Sequence, residues 1–232
     1  MTRSHALVLG GTGAIGARVV ALFAQRKVPT TFTFFRNEEK ARVLATEHGA
    51  TAVKTDLGES AQIRDLFDAM PIVPDVLVHC AGIHRPTPIA ELDETDFDRG
   101  VAIGGRAALI AVREMTKRRE GAAHVVLVGA LDRTQALPLA ASFAAAQGMM
   151  GPIAMALSKE LGHRGVCVNL VAGGLTGTGV SKALDPARVA DYEKYSALRR
   201  LGTPDEIALP IAFLALENET MTGKILAANG GI

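Results

Sequence analysis

LVLGGTGAIGARVV, residues 7–20, passes from a short apolar run through a glycine-rich turn into a helical pattern. Gly10, Gly13 and Gly16 sit at the junction. A strand that feeds a helix through such a turn leaves bare backbone N–H groups at the positive end of the helix, where a pyrophosphate is held. The alternative is a tight turn with no ligand. In both cases the unit is strand–turn–helix, the first half of a crossover between parallel strands.

The alternation continues along all 232 residues. ALVLG (6–10), TFTFF (31–35), TAVKT (51–55), DVLVHC (75–80), HVVLVGA (124–130), VCVNLV (166–171) and KILAAN (224–229) read as strands. Most are continuous in apolar or β-branched residues, the pattern of strands covered on both faces. Helical patterns occupy roughly 14–26, 37–48, 59–69, 95–118, 142–162 and 204–217. Thr203 followed by Pro204, Asp205 and Glu206 puts an N-cap, a first-position proline and first-turn acids in order. Strand–helix alternation of this kind predicts a doubly wound parallel sheet of about seven strands, with helices on both faces, in one domain over 1–232. Residues 173–203 carry no assignment, and a connection of that length suits a binding lid.

Composition excludes several classes of function. The formal net charge is +1 and no basic run occurs, which removes the electrostatic case for nucleic acid or an anionic membrane. Every apolar run is broken well short of the about 18 residues that a membrane span needs. The start, MTRSHALVLGG, has no long apolar core ending in a cleavage site, so a cytoplasmic location is expected. Cys80 and Cys167 are too few for a disulfide framework and lack metal-ligand spacing. Both are expected to be small buried hydrophobes, and no metal site is expected.

Two further positions bear on a nucleotide. At the tip of the second strand, where an acid would accept from a ribose 2′-hydroxyl, stands Arg36, flanked by Phe35 and Asn37. A guanidinium there suits NADP(H) over NAD(H); the alternative is a solvated arginine beside Glu38 and Glu39. Asp56, at the end of the third strand, either accepts from an adenine amino group or caps the next helix.

The motifs GGTGAIG (10–16), DL (56–57), VLVHCAG (76–82), LDETDFDR (92–99), GVCVNLVAGG (165–174), RLGTPDEIA (200–208) and TGKILAANGGI (222–232) span nearly the whole chain. In these the sequence resembles the short-chain dehydrogenase/reductases (SDRs), closest in layout to bacterial 3-oxoacyl-ACP reductases. The resemblance implies a Rossmann-type doubly wound α/β fold that binds NADP(H). It assigns the cofactor to Gly10, Thr12, Gly13, Ala14, Ile15, Gly16, Arg36, Asp56, Leu57, Ala81, Gly82 and Gln147. Gly174, Thr176 and Thr178 then flank the nicotinamide carboxamide, and about 175–200 is the mobile substrate lid. Ala14 replaces a second glycine usual in the family, and its Cβ narrows the space above the phosphates.

The departures concern catalysis. The family uses an asparagine, a serine, and a tyrosine and lysine spaced YxxxK. The tyrosine transfers the proton, and the lysine one turn on lowers its pKa and grips the ribose. Matching the flanking residues puts Gly104, Ala130, Phe143 and Gln147 at these four positions, none of them ionisable. The only tyrosines, Tyr192 and Tyr195, fall in the expected lid. Lys159 lies about 18 Å beyond Gln147 along a helix, too far to substitute.

Three readings follow. The chain is an inactive, cofactor-binding or structural subunit, in a homo-tetramer or in a hetero-oligomer with an active SDR. Alternatively the cleft performs other chemistry on an acyl-thioester, an acyl carrier protein conjugate or a polyketide-like carbonyl, using Tyr192, Tyr195, His84, Asp132 or Arg133. In the third, a slow reductase survives, with water or a lid tyrosine as proton donor.

Overall fold

β1 (Ala6–Leu9) has two faces to fill: Leu7 and Leu9 pack on one side of the sheet, Ala6 and Val8 on the other. The computed structural model describes residues 3–82, 87–130 and 140–232, so His84, Asp132 and Arg133 lie outside the described residues. After β1 come β2 (Thr30–Phe34), β3 (Thr51–Lys54), β4 (Val76–His79), β5 (Ala123–Gly129), β6 (Val166–Gly173) and β7 (Ile225–Ala228). All pair in parallel, in the order β3-β2-β1-β4-β5-β6-β7. β1 therefore has β2 on one side and β4 on the other, and the strand order reverses there. That reversal opens a crevice at the carboxyl ends of β1 and β4.

The helices are α1 (Ala14–Gln25), α2 (Glu38–His48), α3 (Ser60–Ala69), α4 (Glu94–Val101), α5 (Ala107–Arg118), α6 (Ala141–Gly148), α7 (Met150–Leu161), α8 (Pro186–Tyr195) and α9 (Pro204–Leu216). On one face α1, α2 and α9 bury Val19, Phe23, Leu44 and Ile211 against Val8, Phe32 and Val126. On the other, α3, α5 and α7 bury Phe67, Met115 and Met150 against Leu7, Leu77 and Leu127. Phe23 and Phe32 are completely buried, each contributing about 2–3 kcal/mol of transfer free energy. Thr203 and Glu206 form a full capping box on α9.

The strands expected from sequence are present within two residues at each end. Three helical expectations change. The helix expected over 95–118 is α4 and α5 joined by a π-helical turn, Ala102–Arg106. Gly104 and Gly105 lie in that turn, and a Cβ on Gly105 would stand 2.2 Å from the Met149 sulfur. The turn thus packs closely against the side chains of the α6–α7 junction. The helix expected over 142–162 is divided at Met149 into α6 and α7. The unassigned 173–203 contains α8, started by Pro186 with the Asp185 carboxylate accepting from the Ala187 amide. Cys80 and Cys167 are both half-buried, where burial was expected. Among the described residues no helix is long and apolar enough to cross a membrane, and no group of three or more His, Cys, Asp or Glu gathers to hold a metal.

His79, the last residue of β4, is fully buried, and neither ring nitrogen has a hydrogen-bond partner at full geometry among the described residues. Burial pushes its pKa down to about 4, opposed in part by the backbone of Gly104 and Ile103 in the π turn. The unfolded chain takes up this proton near pH 6.5, the folded chain only near pH 4. The folded pKa is the lower one, so the contribution is complete above pH 6.5 and is lost as pH falls through that interval. A shift of this size corresponds to about 3 kcal/mol at most. His124, also lowered to about 4 by burial and by Arg3, acts with the same sign. We expect Tm to fall steadily from pH 6.5 to pH 4.5 and the slope to flatten in His79→Asn. An unchanged slope in the variant would refute the assignment to His79.

Candidate functional site

The crevice starts at the turn between β1 and α1. Gly10 takes φ +82°, a left-handed conformation open to glycine. Its amide donates to the Thr33 hydroxyl at 2.9 Å and the Gly11 amide to the Thr33 carbonyl at 2.9 Å, which stitches the turn to β2. A Cβ on Gly16 would stand 2.3 Å from the Gly10 carbonyl oxygen, and one on Gly11 2.6 Å from the Phe32 side chain. The turn is therefore held at backbone contact. The first turn of α1 carries no acidic residue and no side-chain cap. Ala14, Ile15 and Gly16, as its first residues, have no carbonyl four positions back inside the helix to bond.

Two adjoining cavities meet at this turn, sharing Gly13, Cys80, Ala81 and Gly82 in their walls. The larger, about 460 Å³, includes Gly10, Thr12, Arg36, Asp56, Leu57 and Arg99. Arg36 and Arg99 each place a guanidinium 5.6 Å from the centre of the Phe35 ring. Arg99 Nη2 donates to both carboxylate oxygens of Asp56 at 2.9 Å, and the Gly58 amide donates to Asp56 Oδ1 at 2.9 Å. Asp56 does not cap α3; Glu59 occupies that position, and the Asp56 carboxylate is taken up by Arg99 instead.

The smaller cavity, about 210 Å³, includes Ala14, Ile15, Ala130, Phe143, Gln147, Gly174, Thr176 and Thr178. Phe143 and Gln147 are both buried, one helical turn apart on α6. The Gln147 amide lies across the ends of β4 and β5: a Cβ on Gly82 would come 3.3 Å from Nε2 and one on Gly129 3.5 Å from Oε1. A Cβ on Gly104 would meet the Ala146 carbonyl oxygen at an ordinary 3.6 Å, so position 104 faces α6 although it does not line the cavity. Cys80 is the one titratable side chain among the described lining residues, and burial pushes its thiol up to about 12. The Thr176 and Thr178 hydroxyls bond each other at 3.0 Å, and the Ser181 hydroxyl accepts from the Thr176 amide at 3.1 Å.

The two tyrosines do not line this cavity. Tyr192 on α8 is buried, and its hydroxyl donates to the Asn229 carbonyl at 2.6 Å. Burial raises its pKa. It reaches this place because Gly174 has no side chain; a Cβ there would stand 2.0 Å from the hydroxyl oxygen. Tyr195 is exposed, with the Lys194 ammonium 5.4 Å from its ring centre. The first is committed to packing and the second points to solvent.

Arg99, Phe35, Thr33 and Ser181 were not singled out from sequence. Thr33 carried a signal it shares with Thr30 and Thr31, a polar residue inside a wholly buried strand. Arg99 carried none, because Asp56 lies 43 positions away.

Comparison with known proteins agrees with this geometry. A family model described as enoyl-(acyl carrier protein) reductase matches residues 11–232. The cyclic-di-GMP-binding biofilm dispersal mediator protein of Escherichia coli K12 is 30% identical over 232 residues, covering 99% of this chain and 97% of that protein. The 3-oxoacyl-(acyl-carrier-protein) reductase FabG of Vibrio cholerae is 32% identical, covering 98% of this chain and 96% of its own. Among solved structures, BdcA in complex with NADPH superposes with a TM-score of 0.91 at 28% identity, covering 99% of this chain and 94% of that one.

Tyr192→Phe leaves the Asn229 carbonyl buried without its donor, at a cost of about 1–3 kcal/mol. For a chain of this size that lowers Tm by about 5 °C. Calorimetry checks it, and an unchanged Tm would mean that α8 is held by other contacts.

Proposed function

The chain belongs to the short-chain dehydrogenase/reductase family, and from that premise we propose an NADP(H)-binding, oxidoreductase-like protein in which the family's proton-transfer residues are replaced. It resembles the 3-oxoacyl-ACP reductases in layout and is catalytically inactive in their reaction. The cleft suits the dinucleotide: Gly10 and Gly13 bring bare backbone to its wall, and among the described lining residues the cationic side chains, Arg36 and Arg99, gather at one end. Backbone N–H groups at the start of α1 hold the pyrophosphate, and Arg36 faces the 2′-phosphate. Gln147 hydrogen-bonds a ribose hydroxyl, a neutral contact worth about 1 kcal/mol net. Thr176 and Thr178 flank the carboxamide. NADPH held there would offer a hydride to a carbonyl carbon placed against its nicotinamide.

A carbonyl that accepts hydride also needs a proton. One observation carries the reading: Phe143 stands in the cavity wall with an aromatic ring and no hydroxyl, and Cys80, with its thiol pushed up to about 12, is the sole titratable neighbour among the described lining residues. Loss of a positioned general acid alone costs about 10²–10⁴-fold in rate. We place the protein as a subunit beside an active reductase, or in a homo-tetramer, within acyl-thioester metabolism. Exposed Leu109 on α5 and Met155 on α7 support assembly through those helices.

Titration calorimetry tests the cofactor. We expect micromolar NADPH binding, weaker NADH binding, and loss of that preference in Arg36→Asp; no binding of either nucleotide would overturn the reading. Turnover is tested with acetoacetyl thioesters. The wild type is expected to be inert, whereas Ala130→Ser/Phe143→Tyr/Gln147→Lys gains measurable NADPH oxidation. Steady wild-type turnover would instead establish a surviving reductase with another donor. A folded, NADPH-binding triple variant without activity would point to a cavity remodelled for other chemistry.

A further inference from the structure

Phe143 belongs to two spaces at once. It is buried, and it lines both the cavity of about 210 Å³ and a second hollow of about 30 Å³ between α4 and α6. Asp93, Asp96 and Ser142 line that hollow as well. Asp93 is fixed there as the N-cap of α4, its carboxylate accepting from the Thr95 amide at 2.8 Å. No lysine, arginine or histidine lines either space among the described residues. Arg99, the one cation of α4, lines the larger cavity instead and is paired with Asp56 at 2.9 Å.

The sign of the surroundings follows from these side chains. An aromatic ring is negative over its face. Two carboxylates share the hollow with the ring; Gln147 is neutral, and burial holds the Cys80 thiol in its neutral form. A cation set against such a ring is attracted to it, more strongly where water is excluded. Ionised carboxylates in the same wall add to that attraction. A substrate that brings its own positive charge also removes the need for a proton donor. An iminium carbon that receives a hydride passes its C=N electron pair to nitrogen and leaves as a neutral amine, while the hydride donor, NADPH, leaves as NADP⁺. Atoms and charge balance with no proton taken from the protein. The about 10²–10⁴-fold loss that follows removal of a general acid falls on carbonyls and not on this class.

We propose that the Phe143 end of the cleft takes an organic cation, with an iminium as its substrate. The Phe143 ring meets the charge, Asp93 and Asp96 keep the local potential negative, and Gln147 leaves the place without a competing ammonium. The cation site stands on these side chains alone. Reduction of the iminium rests on the reading that the cleft holds NADP(H).

Two ligands that differ by one atom test the cation site: (4-hydroxyphenyl)trimethylammonium and 4-tert-butylphenol, the same shape with the charged nitrogen replaced by carbon. Both are titrated by calorimetry into the intact chain, alone and saturated with NADPH. The wild type is expected to bind the cation about tenfold more tightly, the effect of one cation–π contact in a desolvated wall. Phe143→Leu keeps an apolar side chain without the π face, and the preference is expected to disappear. Gln147→Lys adds a positive charge and is expected to reverse it. A wild type without a preference, or a preference unchanged in Phe143→Leu, overturns the proposal; if that variant fails to fold, Gln147→Lys carries the same decision. Reduction is read with N-methyl-3,4-dihydroisoquinolinium and NADPH by mass spectrometry of the amine, beside 1-tetralone as a ketone of similar size. Amine formed faster than without protein, and no alcohol from the ketone, is the expected result. Preference for the cation without amine formation overturns the iminium as substrate. Absence of NADPH binding in the same titrations overturns the cofactor reading, and the cation site is then decided by the ratio on the chain alone.

Discussion

Contact between two backbone segments at the β1–α1 turn governs the rest of the structure. Residue 16 lies so near the Gly10 carbonyl that a methyl group would stand 2.3 Å away, and residue 11 is pressed equally hard against Phe32. Helix α1 is therefore pinned to the sheet at its first turn, and its N-terminus is aimed where β1 parts from β4. The crevice, the shared wall of the two cavities and the position of Ala14 all follow from that pinning. A larger residue at either glycine would move α1 as a body, because interiors packed to crystal density transmit displacement and do not absorb it.

The sheet and the cleft were legible in the sequence for the same reason. Strands covered on both faces must be apolar almost without break, and the glycines at 10, 13 and 16 announce a turn that only a bound anion or a close approach requires. What stayed hidden depends on contacts distant in the chain. The π turn at Ala102–Arg106 reads as ordinary helix, and the neighbour that Gly105 packs on there, Met149, lies 44 positions on. Helix α8 had a readable start in Asp185-Pro186, yet its low apolar content concealed it among turn-forming residues. The roles of Tyr192 and Arg99 were beyond reach, because each is set by a partner more than 35 residues away. A side chain's identity limits what it can do, and its neighbours choose among those possibilities.

The cleft is electrically divided. One end holds Arg36, Asp56 and Arg99; the other is lined by glycine, threonine, alanine, phenylalanine and glutamine, with a thiol that burial keeps protonated. In a reductase the second end must hold a proton donor whose pKa is tuned against the charge beside it. Among the described residues that line this end, the Cys80 thiol is the one group that titrates. The division separates the charged end of the cleft from the uncharged one in space.

The uncharged side chains at 143 and 147 also make sense as packing. Phe143 retains the ring volume of a tyrosine while removing a hydroxyl that would otherwise need a partner in a buried wall. Gln147 fills the space of a longer cation with an amide wedged between Gly82 and Gly129, and a neutral amide there needs no counter-charge. An isolated ammonium in the same place would pay for its desolvation unless a phenolate or a ligand phosphate balanced it. Removing both ionisable groups together is therefore less costly to the fold than removing either alone.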